Sequence, residues 1–155
     1  MDDAQPNEGA EDAEFAEIAE LILRTDGASR GNPGHAAAGV VVESPTGEMI
    51  AFGKQYLGVI TNNQAEYRAL ILGLKTVALF HPRRVMVYMD SELVVNQMTG
   101  RYKVNDGPLK DLWREARELA SALPAVTFTH VLRAKNAAAD RLANEALDAH
   151  ARARR

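Results

Sequence analysis

Cysteine is absent from the 155 residues, which excludes disulfides, thiolate zinc sites and a cysteine nucleophile, and suits a reducing cytoplasm. There is no apolar run of membrane-spanning length, and no basic stretch opens the chain as it would a secretory signal. Lysine and arginine are missing from residues 1–20, which carry eight acids. The remaining 13 of the 21 acids face all 18 bases, so residues 21–155 have a balance of +5 although the whole chain is at −3. That sign is compatible with a polyanionic partner without demonstrating one. Internal repeats are also lacking.

What is present is 46% hydrophobic residues, enough for one domain with its own core. Residues 1–19 are expected to be an acidic, disordered leader, 20–149 the folded domain, and 150–155 a basic tail. The chain is expected to be a soluble, cytoplasmic monomer.

Apolar runs separated by turn residues predict strands at 20–26, 36–43 and 48–57, joined as an antiparallel meander. Thr61-Asn62-Asn63-Gln64 has the spacing of a capping box and opens a helix expected to reach about Phe80, before His81-Pro82. Val85 to Met89 is apolar without alternation, as in a parallel strand covered on both faces. A short helix over 91–98, a loop from Gly100 to Gly107, a helix from Pro108 to Leu123, a strand over 125–131 and a helix over 136–149 complete the order. The fold class is therefore α/β, a mixed five-stranded sheet with three antiparallel strands followed by two parallel ones and helices on both faces.

Four acids stand out. Asp26 is expected at the end of the first strand, before a turn through Gly27, Gly31 and Gly34, and Asp90 at the end of the fourth. Strand ends of this kind are where open α/β sheets receive ligands, although an isolated aspartate there is equally a turn or cap residue. Glu66 heads the helix stripe Leu70, Gly73, Leu74 and Val77, an expensive place for an acid unless something compensates. Asp140 lies in the first turn of the last helix, where the helix dipole alone would explain it. Brought together, these carboxylates would repel one another unless cations neutralised them. An all-oxygen set without cysteine or paired histidines points to Mg²⁺, with Mn²⁺ possible, and two such ions about 3.5–4 Å apart are the usual apparatus for displacement at a phosphodiester.

Thr25-Asp26-Gly27 with Gly31-Asn32-Pro33-Gly34, Thr61-Asn62-Asn63-Gln64-Ala65-Glu66, Met89-Asp90-Ser91, and Asn136 with Ala139-Asp140-Arg141-Leu142-Ala143-Asn144 together resemble type 1 ribonuclease H. That family cuts the RNA strand of RNA/DNA hybrids. The resemblance covers about residues 20–149, and it implies the ribonuclease H-like fold and two-metal-ion catalysis leaving 5′-phosphate and 3′-hydroxyl ends. It further implies that Asp26 is shared by both ions, that Asp140 completes the site of the ion activating water, and that Glu66 and Asp90 hold the other.

Asn32, Asn62, Asn63 and Gln64 match positions that in the family touch the hybrid's minor groove. Thr61 and Asn32 resemble a pocket for a DNA-strand phosphate, though Thr61 is equally a helix cap. Two departures are visible. The lysine-rich protrusion of many bacterial relatives is replaced by the short loop from Gly100 to Gly107, and the segment ahead of Asp140 has no histidine. Arg133 is the candidate for the missing histidine's role, in product release or phosphate orientation, against a plain surface arginine. His130 reads as structural. A catalytically silent hybrid-binding module and a DNA strand-transfer nuclease of the same fold are the alternatives.

Overall fold

The computed structural model describes residues 19–154, and the expected acidic leader lies outside the described residues except for Ala19. The strands are β1 (Glu20–Gly31), β2 (Gly34–Glu43), β3 (Met49–Ile60), β4 (Arg84–Met89) and β5 (Val126–His130). The helices are α1 (Asn62–Ala78), α2 (Glu92–Met98), α3 (Gly107–Ser121) and α4 (Ala137–Ala153), with a 3₁₀ turn over Arg133–Asn136. The sheet order is β3-β2-β1-β4-β5. β1 pairs antiparallel with β2 and parallel with β4, β2 antiparallel with β3, and β4 parallel with β5. The mixed sheet expected from the sequence is thus observed.

β1 does not end at Asp26. Its parallel ladder to β4 stops at Thr25↔Met89, whereas its antiparallel ladder to β2 runs on to Gly31↔Gly34. Asp26 is therefore the first residue past the parallel pairing, in a strand that continues along one neighbour only. The turn itself is confined to Asn32-Pro33, after Gly31 at φ 101°, and Gly27 serves another purpose.

Alternation along β1 splits the sheet into two faces. Leu21 and Leu23 join Val40 and Val42 under α1, whose Tyr67, Leu70, Leu74 and Val77 are fully or almost fully buried with them. α3 packs behind α1 through Leu109 and Ala116. On the opposite face α4 crosses β2, β1 and β3. Two glycines set how near these helices come. A Cβ on Gly27 would sit 2.2 Å from the Ala65 carbonyl carbon and 2.4 Å from the Glu66 nitrogen. A Cβ on Gly39, the residue paired with Asp26, would sit 2.0 Å from the Ala139 oxygen. The glycines thus admit one helix against each face of the sheet beside the same aspartate.

β4 departs from the expectation of cover on both faces. Val85, Val87 and Met89 are buried, but Met86 and Tyr88 are only half-buried, because α4 lies over the other half of the sheet. The Arg24 guanidinium, 5.0 Å from the Tyr88 ring centre, covers part of that gap. Helix ends follow local capping: Thr61 and Gln64 form the expected box on α1, Ser91 caps α2, and Asp106 Oδ1 accepts from Leu109 N–H at 3.1 Å to start α3 one residue before its proline. α4 continues to Ala153 and takes in residues expected as a basic tail. Among the described residues no helix is long and apolar enough to cross a membrane.

Candidate metal centre

Asp26 is 5% exposed and turned toward the α4 face. Glu66, on the second turn of α1, enters from the other face, and its Oε1 accepts a 2.9 Å hydrogen bond from Gly27 N–H. That bond exists because Gly27 lets the start of α1 touch the strand. Asp90 follows β4 directly and presents a buried Oδ1 that no protein donor reaches. One carboxylate oxygen from each of Asp26, Glu66 and Asp90 lies within 4.8 Å of the other two. Asp140 opens onto the same cleft, of about 420 Å³, from the first turn of α4.

Crowding acids in this way is costly. Burial first, then Glu66, Asp90 and Asp140, push the Asp26 carboxyl from the ordinary range to about 10. Glu66 rises to about 8 through burial and through Asp90 and Asp140, against the opposing Gly27 hydrogen bond. At neutral pH the protein's own groups thus cannot hold the cluster fully ionised. A divalent cation removes both penalties at once, and an unpartnered Asp90 oxygen among hard oxygen donors fits Mg²⁺ or Mn²⁺ chemistry.

The other expected site residues divide. Asn62, Asn63 and Arg133 line the cleft with the acids, and Arg133 Nη2 lies 3.6 Å from Asp140 Oδ1. Asn32 stands beside the cleft, its Oδ1 accepting from Asn62 N–H at 3.0 Å. Thr61 and Gln64 are engaged in capping: Thr61 Oγ1 accepts from Gln64 N–H at 3.2 Å and Gln64 Oε1 from Thr61 N–H at 2.9 Å. The cap reading of Thr61 therefore accounts for its hydroxyl, and the same box engages Gln64's oxygen.

Two supports were missed by sequence reasoning. Asn136, fully buried, donates from Nδ2 to the Thr25 carbonyl at 2.9 Å and ties the start of α4 to the residue before Asp26. Its place in the Asn136 to Asn144 motif was visible, but not this bond. Arg24 donates to Glu43 Oε1 at 3.1 Å and to the Lys135 carbonyl at 3.0 Å, holding the 3₁₀ turn that carries Arg133. A lone arginine within an apolar strand is the signal that could have found it.

The family described as Reverse transcriptase-like matches residues 24–146. Ribonuclease HI of Halobacterium salinarum is 49% identical over 123 residues, 79% of this chain and 62% of its own length. Ribonuclease H of Erythrobacter litoralis is 37% identical over 139 residues, 80% of this chain and 93% of the relative. The solved structure of LC11 ribonuclease H1 in complex with an RNA/DNA hybrid is similar at TM-score 0.81 and 41% identity, covering 84% of this chain and 98% of that one. The chain spans between 36% and 62% of the length of the first curated relatives it matches. With a sheet of the expected order, four acids facing one cleft, and relatives matched over nearly their whole length, this chain belongs to the type 1 ribonuclease H family.

Proposed function

We propose that this protein is an endoribonuclease that hydrolyses the RNA strand of RNA/DNA hybrids and leaves 5′-phosphate and 3′-hydroxyl ends. The observation that carries the reading is the convergence of Asp26, Glu66 and Asp90 within 4.8 Å, with Asp140 on the same cleft. These four carboxylates would hold two Mg²⁺ ions, or Mn²⁺ in their place. The bound ions supply Lewis-acid activation of water and neutralise charge developing at phosphorus.

The chain's own groups do the rest. Asp26 interacts with Glu66, Asp90 and Asp140 alike, which suits it to be shared between two cation positions. Asn62 and Asn63 present neutral amides that both donate and accept, as recognition of 2′-hydroxyls and base edges in a shallow minor groove requires. Arg133, largely exposed beside Asp140, is placed to meet a phosphate entering or leaving the cleft. Asn32, Thr61 and Gln64 serve chiefly to fix the start of α1, with Asn32 near enough to the substrate path to contact it. Catalysis by a monomer in the cytoplasm is consistent with a cysteine-free, self-contained domain.

The test is incubation of end-labelled RNA/DNA hybrid and of DNA duplex with Mg²⁺, with Asp26→Asn as control. RNA-strand cleavage with untouched DNA duplex, lost in Asp26→Asn, is the expected result. Binding without cleavage would replace the reading by a silent hybrid-binding module, and processing of DNA duplex by a strand-transfer nuclease.

A further inference from the structure

The even-numbered side of β1 and one face of α4 run alongside each other away from the metal centre. Asp26 and Arg30 lie four residues apart on the strand, and Asp140, Asn144 and Asp148 on successive turns of the helix. Asn144 Nδ2 donates to the Asp140 carbonyl at 3.0 Å and approaches Asp140 Oδ1 at 3.3 Å. Asn144 Oδ1 accepts from Arg30 Nη2 at 3.3 Å, and the same Nη2 donates to Asp148 Oδ1 at 2.7 Å.

A carboxamide can present either its oxygen or its nitrogen to a neighbour, and the surrounding network decides which. Here the reversed orientation would set oxygen against the Asp140 carboxylate and NH₂ against the guanidinium, two repulsive contacts in place of two attractive ones. Arg30, itself held by Asp148, therefore joins the Asp140 carbonyl in dictating that Asn144 offers a donor to the Asp140 carboxylate. That donor and Arg133 both approach Oδ1, so the other carboxylate oxygen is not committed to them. The Arg30–Asp148 pair is about half exposed on each side, at 46% and 52%, and exposed pairs of that kind add little to folding. Its value is thus in orientation more than in stability.

We propose that Asn144, oriented by Arg30, is a positioning residue that fixes the rotation of the Asp140 carboxylate so that one oxygen stays available to a divalent cation. The proposal rests on the metal-dependent reading of the site. Partners that orient a ligating group typically change metal affinity or activity about 10- to 100-fold when removed. For this chain the loss falls on Mg²⁺ response and turnover, while hybrid affinity is unaffected.

The test compares wild type, Asn144→Ala, Arg30→Met, Arg30→Lys and the double variant Asn144→Ala/Arg30→Met. Two readouts are needed: the rise in Tm caused by Mg²⁺ alone, without substrate, and the Mg²⁺ dependence, kcat and KM of hybrid cleavage. Asn144→Ala and Arg30→Met are expected to raise the half-saturating Mg²⁺ concentration about tenfold or more and to lower kcat with KM unchanged. Arg30→Met should add nothing in the Asn144→Ala background, and Arg30→Lys, which keeps a donor for Asn144 Oδ1, should restore most of the loss. Unchanged Mg²⁺ response and kcat, additive effects, or a rise in KM alone would overturn the positioning role. Wild type that neither cleaves hybrid nor responds to Mg²⁺ would instead sink the metal-dependent reading itself.

Discussion

Replacing Asp26 with asparagine removes a carboxyl whose ionised form burial and three neighbouring carboxylates all oppose, while keeping the shape of the side chain. Asp26→Asn is therefore expected to abolish hybrid cleavage yet to unfold at a higher temperature than wild type in EDTA at pH 8–9. Paired activity and thermal-melt measurements check both halves, and a variant that is both inactive and less stable would contradict the electrostatic account. Arg133, at 79% exposed, can leave without disturbing the core. Arg133→Ala is expected to lower kcat at saturating hybrid severalfold with Tm unchanged, and an unaltered rate would remove it from the mechanism. The four acids were legible in the sequence only as a set, through the four motifs that carry them, because singly Asp26 and Asp90 read equally as turn or cap residues and Asp140 as a partner of the helix dipole. The work of Asn136 and Arg24 was not, because it consists of bonds to groups distant in the chain, the Thr25 carbonyl for one and the Glu43 carboxylate and Lys135 carbonyl for the other, and such bonds leave no local spacing to read.

Helices meet the sheet where glycine allows it. Gly39→Ala would drive a methyl group into the Ala139 carbonyl of α4, and overpacking of this kind costs about 1–3 kcal/mol. Because α4 carries Asp140, the variant is expected to lose Tm and most activity together, and circular dichroism melts beside a cleavage assay will show whether the two fall in step. At this scale the order and type of every strand and α-helix, though not the 3₁₀ turn over Arg133–Asn136, could be read from periodicity and capping chemistry, Thr61 with Gln64 being the clearest case. The end of β1 could not. Gly27 and Gly31 have the composition of a turn, and only the partner strand β2, whose pairing reaches Gly34, reveals that the first of them stays in the sheet to let α1 approach. The exposed side of β4 was equally hidden, since an apolar run does not say which of its faces a helix covers.

For the molecule as a whole, the acidic cluster ties folding to pH and metal. Asp26 and Glu66, at about 10 and about 8, bind protons more tightly when folded than when unfolded. Stability without divalent ions must therefore fall as pH rises from the ordinary carboxylate range, first through the Glu66 value and then toward that of Asp26. The slope is at most about 1.4 kcal/mol per pH unit for each proton. Chemical denaturation in EDTA from pH 5 to 9 should trace that decline, and the same series in excess Mg²⁺, which stabilises the folded form by binding it, should flatten it. A metal-free curve that is level or rising would contradict the raised values. β1 has one more consequence. It is bonded to a neighbour on each edge up to Thr25, and a helix lies against each of its faces, so partial opening elsewhere does not reach it. Asp26 stands one residue beyond that doubly paired stretch, so its main chain has far less freedom to move during turnover than the exposed rim that carries Arg133.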